Sequence, residues 1–298
     1  MIFLGELAAL MTSVCFTATS AMFTLAGRMV GSVVVNRTRL LFAVLLLALA
    51  HPLFGLPLPW HAEPFRWGWL GLSGLVGLAL GDAFLFQAFV WIGPRLTMLM
   101  LSLAPILATV LAWLFLGERL SPWQVAAIIT TIGGTAWVVQ EQNTQPANEH
   151  NAHFKAGILF GLGAATGQAL GLIFAKQGLR GDFPALSGTL MRMLAATLAL
   201  WGLAVVRGQA AESLRQLRAR PRALRYLVIG SITGPFLGVT LSLYAVQHAP
   251  VGIASTLTSL PPVLLLPVGY FFFKERFGWG AIAGTFIAIA GVVMLFLA

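Results

Sequence analysis

Apolar segments separated by short polar ones cover almost the whole chain of 298 residues. Each is about 20 residues long, which as an α-helix rising 1.5 Å per residue matches the roughly 30 Å hydrocarbon core of a bilayer. The pattern predicts ten membrane-spanning helices. They cover residues 3–26, 31–53, 67–91, 95–116, 122–140, 155–175, 184–206, 224–247, 251–273 and 278–297.

The second half of the chain repeats the first. The stretch from Trp67 to Gln140 recurs, nearly complete, between Arg225 and Ala298 at a shift of 157 positions. The matched positions include Gly77 with Gly234, Gly81 with Gly238, Ser102-Leu103 with Ser259-Leu260, Pro105 with Pro262, Glu118-Arg119 with Glu275-Arg276, and Gly134 with Gly291. Earlier in each half the shift is smaller, with Gly27 opposite Gly178 and Arg39 opposite Arg192. Insertions in connecting loops produce such steps.

Five spans fall in each copy, and this odd number determines how the copies are related. After five crossings the second copy enters the membrane from the opposite side, so a pseudo-two-fold axis in the membrane plane relates the two repeats. Residues 141–153 are polar throughout and predict a linker. We therefore expect an all-α membrane protein with inverted five-helix repeats, residues 1–140 and 154–298, around a central cavity.

The composition excludes a water-soluble domain, because 58% of the residues are hydrophobic and only 9% are charged. The net charge of +9 is explained by membrane orientation and anionic headgroups, so we expect no nucleic-acid partner. If the connections alternate between sides, most Lys and Arg residues, with Arg37 and Arg39 counted among them, lie on the side of the first loop. That side is then predicted to be cytoplasmic, with both termini outside.

Two prolines and two glutamates mark equivalent places in the repeats. Pro105 and Pro262 fall inside the fourth and ninth spans, where a proline bends the helix and frees carbonyl groups beside a cavity. We predict hinges at both positions. Glu118 and Glu275 lie in the connections that follow these spans, and we expect them to form loop ion pairs or helix caps.

Asp82 is the acidic residue that the pattern places deep within a span, about midway along the third. Its burial costs several kcal/mol unless the carboxyl group is protonated, paired or hydrated. One interpretation is a carboxylate that faces a cavity and binds an amine or carries a proton. The other is a structural residue hydrogen-bonded to helix ends or backbone. The equivalent residue in the second copy is Val239, so the halves differ chemically at this depth.

A helix face next to Asp82 predicts the substrate site. Met98, Leu101, Ser102 and Pro105 are spaced i, i+3, i+4 and i+7, which places them on one face. The equivalent positions of the second repeat are Ser255, Thr258, Ser259 and Pro262. The hydroxyl groups and freed carbonyls of these two faces would hold a zwitterion without a buried arginine. The candidate substrate-binding residues are Thr17, Asp82, Phe86, Met98, Leu101, Ser102, Gln168, Tyr244, Ser255, Thr258 and Ser259.

Motifs for other chemistry are missing from the sequence. It has no Walker A pattern for ATP, no HExxH or CxxC pattern for a metal, and no GxSxG pattern for a hydrolase. We therefore expect no enzymatic activity, no cofactor and no metal site.

The third to fifth spans resemble a known family. The segments GDAFLFQAFVWIGPRLTMLMLSLAPILATVLAWLFLGERLSPWQ and IGGTAWVV are similar to the EamA-type repeat of the drug/metabolite transporter superfamily, and GLGAATGQALGLIFAKQG resembles the start of its second repeat. The resemblance implies a ten-helix secondary transporter that most often exports amino acids, as exporters of the YddG type do. Asp82, Pro105, Glu118 and Gly134 match the family's usual positions, whereas Val239 departs from them.

We therefore expect a carrier that exports small amphipathic metabolites, amino acids first and aromatic or neutral ones among them, by alternating access. A flippase for a lipid-linked metabolite is the alternative within the same superfamily. A membrane enzyme or channel would need a catalytic group or a continuous polar stripe. We expect a monomer in the plasma (inner) membrane whose partners are its small-molecule substrate and the lipid bilayer.

Overall fold

The computed structural model describes residues 3–141, 154–266 and 278–297, and all regular structure in them is helical. In chain order the helices are α1 (Leu4–Val30), α2 (Ser32–Leu53), α3 (Pro64–Ser73), α4 (Asp82–Leu101), α5 (Ala104–Leu116), α6 (Pro122–Glu141), α7 (Phe154–Gly178), α8 (Ala185–Val206), α9 (Ala210–Ala219), α10 (Pro221–Ser231), α11 (Val239–His248), α12 (Val251–Thr258), α13 (261–266) and α14 (Trp279–Phe296). A 3₁₀ turn, Pro59–His61, precedes α3.

The helices fit the predicted ten-helix membrane protein. Within the described ranges, nine helical segments are long and apolar enough to cross a membrane, and Val251–Leu266 is a shorter apolar segment. The prediction of an all-α membrane protein is therefore confirmed. The division into domains at residues 141–153 stays a prediction, because linker residues 142–153 lie outside the described residues, as do Glu275 and the part of the ninth span beyond residue 266.

The boundary predicted between the third and fourth spans, residues 92–94, is wrong. Helix α4 continues through these residues to Leu101, and the chain leaves helical geometry only at Ser102 and Leu103. Helix α7 packs along α4 through glycines: a Cβ atom on Gly161 would lie 3.0 Å from Met100 Cγ. This packing favours helix where the span limits predicted a connection.

The basic connection after α8 contains a helix that the sequence pattern did not predict. In α9, Ser213 and Leu217 are buried whereas Leu214 is exposed. Arg37 Nη2 donates a hydrogen bond of 2.8 Å to Gln209 Oε1, next to the start of α9. Arg37 is thus a buried residue of α2, and counting it among the connection charges was wrong. The orientation of the termini stays a prediction.

The outer surface of this protein differs from that of a soluble protein. Large apolar side chains point outward, for example Leu49, Leu198 and Phe286, which are 67%, 72% and 68% exposed. Hydroxyl groups are buried among the helices, where the Thr12 hydroxyl donates to Ala8 O and the Ser13 hydroxyl donates to Leu257 O. Lipid solvates the apolar surface, so packing and internal hydrogen bonds hold the helices together.

Helices α6 and α14, which are repeat copies of each other, pack antiparallel. Trp123 Nε1 donates to Met294 O at the start of α6, and Glu141 at its end approaches Gly280 near the start of α14. Between these ends the backbone of Gly134 lies against Gly284 and Ala288. A helix and its copy run in opposite directions side by side only when the axis that relates them is perpendicular to both. This is the geometry expected for inverted repeats.

A second pair of interfaces follows the same symmetry. In the first repeat, a Cβ atom on Gly167 of α7 would lie 3.0 Å from Gly81 Cα, and one on Gly171 would lie 3.0 Å from Gly77 Cα. In the second repeat, the equivalent Gly234 and Gly238 lie against Thr19 and Phe16 of α1. Each half therefore packs its third helix against the first helix of the other half.

Both third helices contain a π-helical segment at the same place. The segments are Gly74–Gly81, between α3 and α4, and Ile232–Gly238, between α10 and α11. A π-helix has one more residue per turn than an α-helix and is frequent at functional sites. Asp82 is the first residue after the first segment, so the widened turn sets the direction of its side chain.

The start of α12 is held by a charged contact between the halves. Glu118 Oε2 accepts a hydrogen bond of 2.8 Å from the backbone N–H of Val251, and Glu118 Oε1 forms an ion pair of 2.5 Å with Lys176. Lys176 also donates to Ala249 O at 2.9 Å. The prediction that Glu118 caps a helix and forms an ion pair is confirmed; Glu275 lies outside the described residues.

We predict that Gly134→Ala destabilises the protein by about 1–3 kcal/mol, because the new Cβ atom would overlap Ala288 and lie 2.6 Å from Gly284 O. The control is Gly133→Ala, since a Cβ there meets nothing within 4 Å; it should be neutral or gain up to about 1 kcal/mol from helix propensity. Thermal unfolding of the purified variants in detergent measures the difference. Equal melting temperatures for the two variants would contradict the α6–α14 contact.

Candidate functional site

An ion pair joins two spans of the first repeat. The Arg39 guanidinium of α2 contacts Asp82 Oδ2 of α4, with side chains that are 17% and 6% exposed. Arg39 is oriented by Asn36, whose Oδ1 accepts a hydrogen bond of 2.9 Å from Arg39 Nε. The ring of Phe23 in α1 lies 6.0 Å from the guanidinium carbon. A carboxylate this deep in an apolar protein is stabilised by its cationic partner.

The second repeat reaches the same carboxylate through Gln168 of α7. Its side-chain Nε2 lies 3.4 Å from Asp82 Oδ1, at the long limit of a hydrogen bond. Gln168 follows Gly167, the residue that packs against Gly81. The close approach of the two glycine backbones therefore places the amide beside the carboxylate.

Arg192 of α8 is the third charged residue of this group. It is 4% exposed, and its charge interacts with that of Asp82. Gly74 and Gly77 of the π-helical segment give it room: a Cβ atom on Gly74 would overlap the Arg192 backbone, and one on Gly77 would lie 3.5 Å from its Nη2 atom. We call Arg39, Asp82, Gln168 and Arg192 the central polar cluster.

The central polar cluster combines symmetry with one asymmetric residue. Arg39 and Arg192 occupy equivalent positions of the two repeats, whereas Asp82 has Val239 as its equivalent. Helix α8 thus buries a second arginine near Asp82, whereas the expected site at the fourth and ninth spans, without a buried arginine, stays a prediction. The sequence contained the necessary signal: both arginines lie within predicted spans, and a charged residue there is by default a functional candidate.

The predicted substrate face lies at the interruptions of the fourth and ninth spans. Pro105 is in the first turn of α5 after the interruption at Ser102 and Leu103, and Pro262 is in the first turn of α13 after the interruption at Ser259 and Leu260. The hydroxyls of Ser102, Thr258 and Ser259 each donate to a backbone carbonyl three residues earlier. The acceptors are Leu99 O at 2.7 Å, Ser255 O at 3.0 Å and Thr256 O at 2.8 Å. They satisfy the carbonyls that the interruptions leave free.

The remaining candidates lie at several depths of burial. Met98, Leu101, Phe86 and Tyr244 are half-buried, and Ser255 is 5% exposed. The Tyr244 ring stacks on His248 with centroids 4.0 Å apart, and Thr17 donates to Ser13 O at 2.7 Å. Among the candidates, the structure brings Asp82 and Gln168 together directly. Helix α12 packs on α5, where Gly252 contacts Thr109.

The chemistry of the central polar cluster is that of a charge-binding site. Its donors are two guanidinium groups and an amide, and its acceptor is one carboxylate. Across residues 3–141, 154–266 and 278–297, no group of three or more His, Cys, Asp or Glu side chains could hold a metal ion. The cluster therefore holds one internal ion pair, between Arg39 and Asp82, and further donor groups.

Comparison with known proteins agrees with the fold. One solved crystal structure superposes on this chain with a TM-score of 0.76 and 17% sequence identity. The match covers 98% of this chain and 98% of the other chain, so the two share a fold. A curated relative, a probable terminal-alkyne amino-acid exporter from Streptantibioticus cattleyicolor, is 33% identical over 89 residues. The matched region spans 30% of this chain and 30% of that protein.

The EamA-like transporter family matches the chain twice, at residues 3–140 and at residues 155–297. The two matches cover most of both repeats and agree with the antiparallel pairing of equivalent helices. They also agree with nine apolar spans and one shorter apolar helix among the described residues. This multi-pass membrane protein belongs to the EamA-like transporter family.

Proposed function

We propose that the protein is a secondary transporter that exports small amphipathic metabolites, with neutral and aromatic amino acids as its first substrates, by alternating access. The observation that carries the proposal is the central polar cluster, in which Gln168 of the second repeat approaches Asp82 of the first and the buried Arg192 lies nearby. Charged groups inside a membrane protein are costly, and they mark substrate or ion pathways. Midplane sites between inverted repeats are the usual place for substrate in secondary transporters.

The interfaces between the halves support movement around this cluster. Gly77, Gly81, Gly167 and Gly171 meet backbone to backbone, without long side chains that would interlock the helices. One half can then rock against the other with little repacking. The predicted face at Ser102 and Ser259 borders helix interruptions that can absorb the bend.

The substrate class follows from the relative and from the chemistry. The relative from Streptantibioticus cattleyicolor is a probable amino-acid exporter, and a cluster with both charge signs suits a zwitterion. In this proposal the protein works in the plasma membrane as a monomer and lowers the internal concentration of its substrate. A lipid-linked substrate has no specific support in the structure.

The proposed function is tested by counterflow with the purified protein in liposomes. Liposomes loaded with one unlabelled amino acid should accumulate the same labelled amino acid, for a panel of neutral and aromatic amino acids. Liposomes without protein are the control for leakage. An imposed proton gradient should drive net uptake beyond that without a gradient. If no member of the panel exchanges, amino-acid export is not the function.

We predict that Asp82→Asn abolishes the response to the proton gradient but retains amino-acid exchange. The amide keeps the shape of the side chain, yet it cannot take up or release a proton. The control is Asp182→Asn, since Asp182 is exposed with a positive φ of 56° and Asn tolerates that conformation. Gradient-driven uptake and exchange are measured on the same preparations. Unchanged gradient-driven uptake in Asp82→Asn would return Asp82 to a structural role.

We also predict that Ser102→Trp and Ser259→Trp each abolish transport while membrane expression persists, because the indole fills the space at the equivalent interruptions. Leu198→Trp is the matched control: this side chain is 72% exposed on the lipid-facing surface, where the indole should be tolerated. Exchange is normalised to the protein recovered in the membrane. Normal exchange by both serine variants would place the substrate elsewhere.

A further inference from the structure

Arg192 is a buried cation that has no hydrogen-bond or ion-pair partner among the described residues. Its residue is 4% exposed, and its buried Nε atom has no hydrogen-bond partner. In the part of the chain that the structure describes, none of its nitrogen atoms forms a hydrogen bond or lies within ion-pair distance of a carboxylate. Buried polar groups are nearly always paired, so an unpaired guanidinium calls for an explanation.

The charges of the central polar cluster do not balance. Arg39 and Arg192 contribute two positive charges and Asp82 one negative charge, and the Asp82 oxygen that approaches Arg39 belongs to a direct ion pair. The neutral amide of Gln168 lies near the other oxygen. The cluster in this structure therefore carries one positive charge in excess. An uncompensated buried charge is strongly unfavourable, and a bound anion offsets this cost.

The position of Arg192 is built into the helix packing. A Cβ atom on Gly74 would lie 3.0 Å from Arg192 Cα, so the backbones of α8 and the π-helical segment touch. Gly77 borders the Nη2 atom without a side chain of its own. Arg192 thus stands at the interface of the halves, where a substrate bound between them is within reach. The equivalent residue of the first repeat, Arg39, already forms an ion pair with Asp82.

We propose that the Arg192 guanidinium binds the carboxylate of the transported substrate, which makes the substrate class carboxylate-bearing amphipathic molecules. This inference rests on the proposed function and narrows it. A guanidinium presents two parallel N–H donors that match the two oxygens of a carboxylate, whereas an ammonium presents a point charge. A carboxylate there balances the charge of the cluster and satisfies the Nε donor or its neighbours. An amide or amine in its place leaves the excess charge uncompensated.

The test compares L-leucine and L-phenylalanine with leucinamide and phenylalaninamide, which lack the carboxylate. Wild type, R192Q and R192K are purified in detergent and then reconstituted into liposomes. Two readouts are taken from each: the rise of the melting temperature on addition of the probe, and the KM and maximal rate of exchange. Size-exclusion profiles and melting temperatures without probe establish that each variant is folded.

In the wild type, both acids should raise the melting temperature and both amides should not. R192Q should raise the KM for the acids about 10- to 100-fold, as expected for loss of a charge-assisted bidentate contact. R192K should have a KM for the acids between those of the wild type and R192Q, because lysine keeps the charge but lacks the paired donors. If R192Q does not fold, R192K and the comparison of acids with amides in the wild type still test whether Arg192 binds the substrate carboxylate.

The outcomes separate this inference from the proposed function. Exchange of acids with an unchanged KM in R192Q, or equal stabilisation by acids and amides in the wild type, overturns the role of Arg192 and leaves amino-acid export intact. Stabilisation by acids that depends on Arg192, without exchange of any probe, supports the carboxylate site and overturns the export function. An equal loss for acids and amides in R192Q and R192K identifies Arg192 as a structural residue and also overturns the inference.

Discussion

The close backbone approach between the halves, Gly77 to Gly171 and Gly81 to Gly167, is the contact on which the rest of the structure depends. Lipid provides no hydrophobic driving force between helices, so dispersion contacts across such interfaces must hold the halves together. A Cβ atom on Gly167 or Gly171 would lie 3.0 Å from the Cα atom of the opposite glycine, so the two backbones would have to move apart by a few tenths of an ångström. The same contact decides the chemistry, because Gln168 follows Gly167 and Asp82 follows Gly81. Packing and charge placement therefore have one cause.

The two repeats place equivalent residues at equivalent positions, but the acidic residue of the central polar cluster occurs in only one of them. Equivalent positions supply Arg39 and Arg192, but Asp82 faces Val239 in the second copy. With two carboxylates, both arginines would be paired and the cluster would be closed to a ligand. With one, Arg39 is held in an ion pair and Arg192 keeps its donors. Because Val239 stands where the first repeat has Asp82, the second repeat has no equivalent of the ion pair between Arg39 and Asp82.

Much of the fold could be predicted from the sequence, because membrane thickness sets the length of a span and the 157-position repeat with five spans per copy sets the inversion. Asp82 stood out for the same reason, as a charge in an apolar run. The sequence marks Arg39 and Arg192 as charges within predicted spans, but it does not predict that Arg39 pairs with Asp82, since this depends on the rotation of α2 and α4 about their axes. The π-helical segments, the continuation of α4 and the helix α9 likewise follow from tertiary contacts that local patterns do not encode.

Movement between the halves must also act on the contact of Glu118 with Lys176 and the start of α12. Glu118 belongs to the first repeat, whereas Lys176 and the N–H of Val251 belong to the second. One carboxylate therefore ties the loop after α5 to both α7 and α12, the helix whose end carries Ser255, Thr258 and Ser259. The contact lies away from the central polar cluster, and its Lys176 and Glu118 side chains are only 24% and 17% exposed, so breaking it is costly unless water solvates both charges. In the proposed alternating access, a rocking of the halves that opens this end of the molecule must break the Glu118 contacts, because they join the first repeat to two helices of the second.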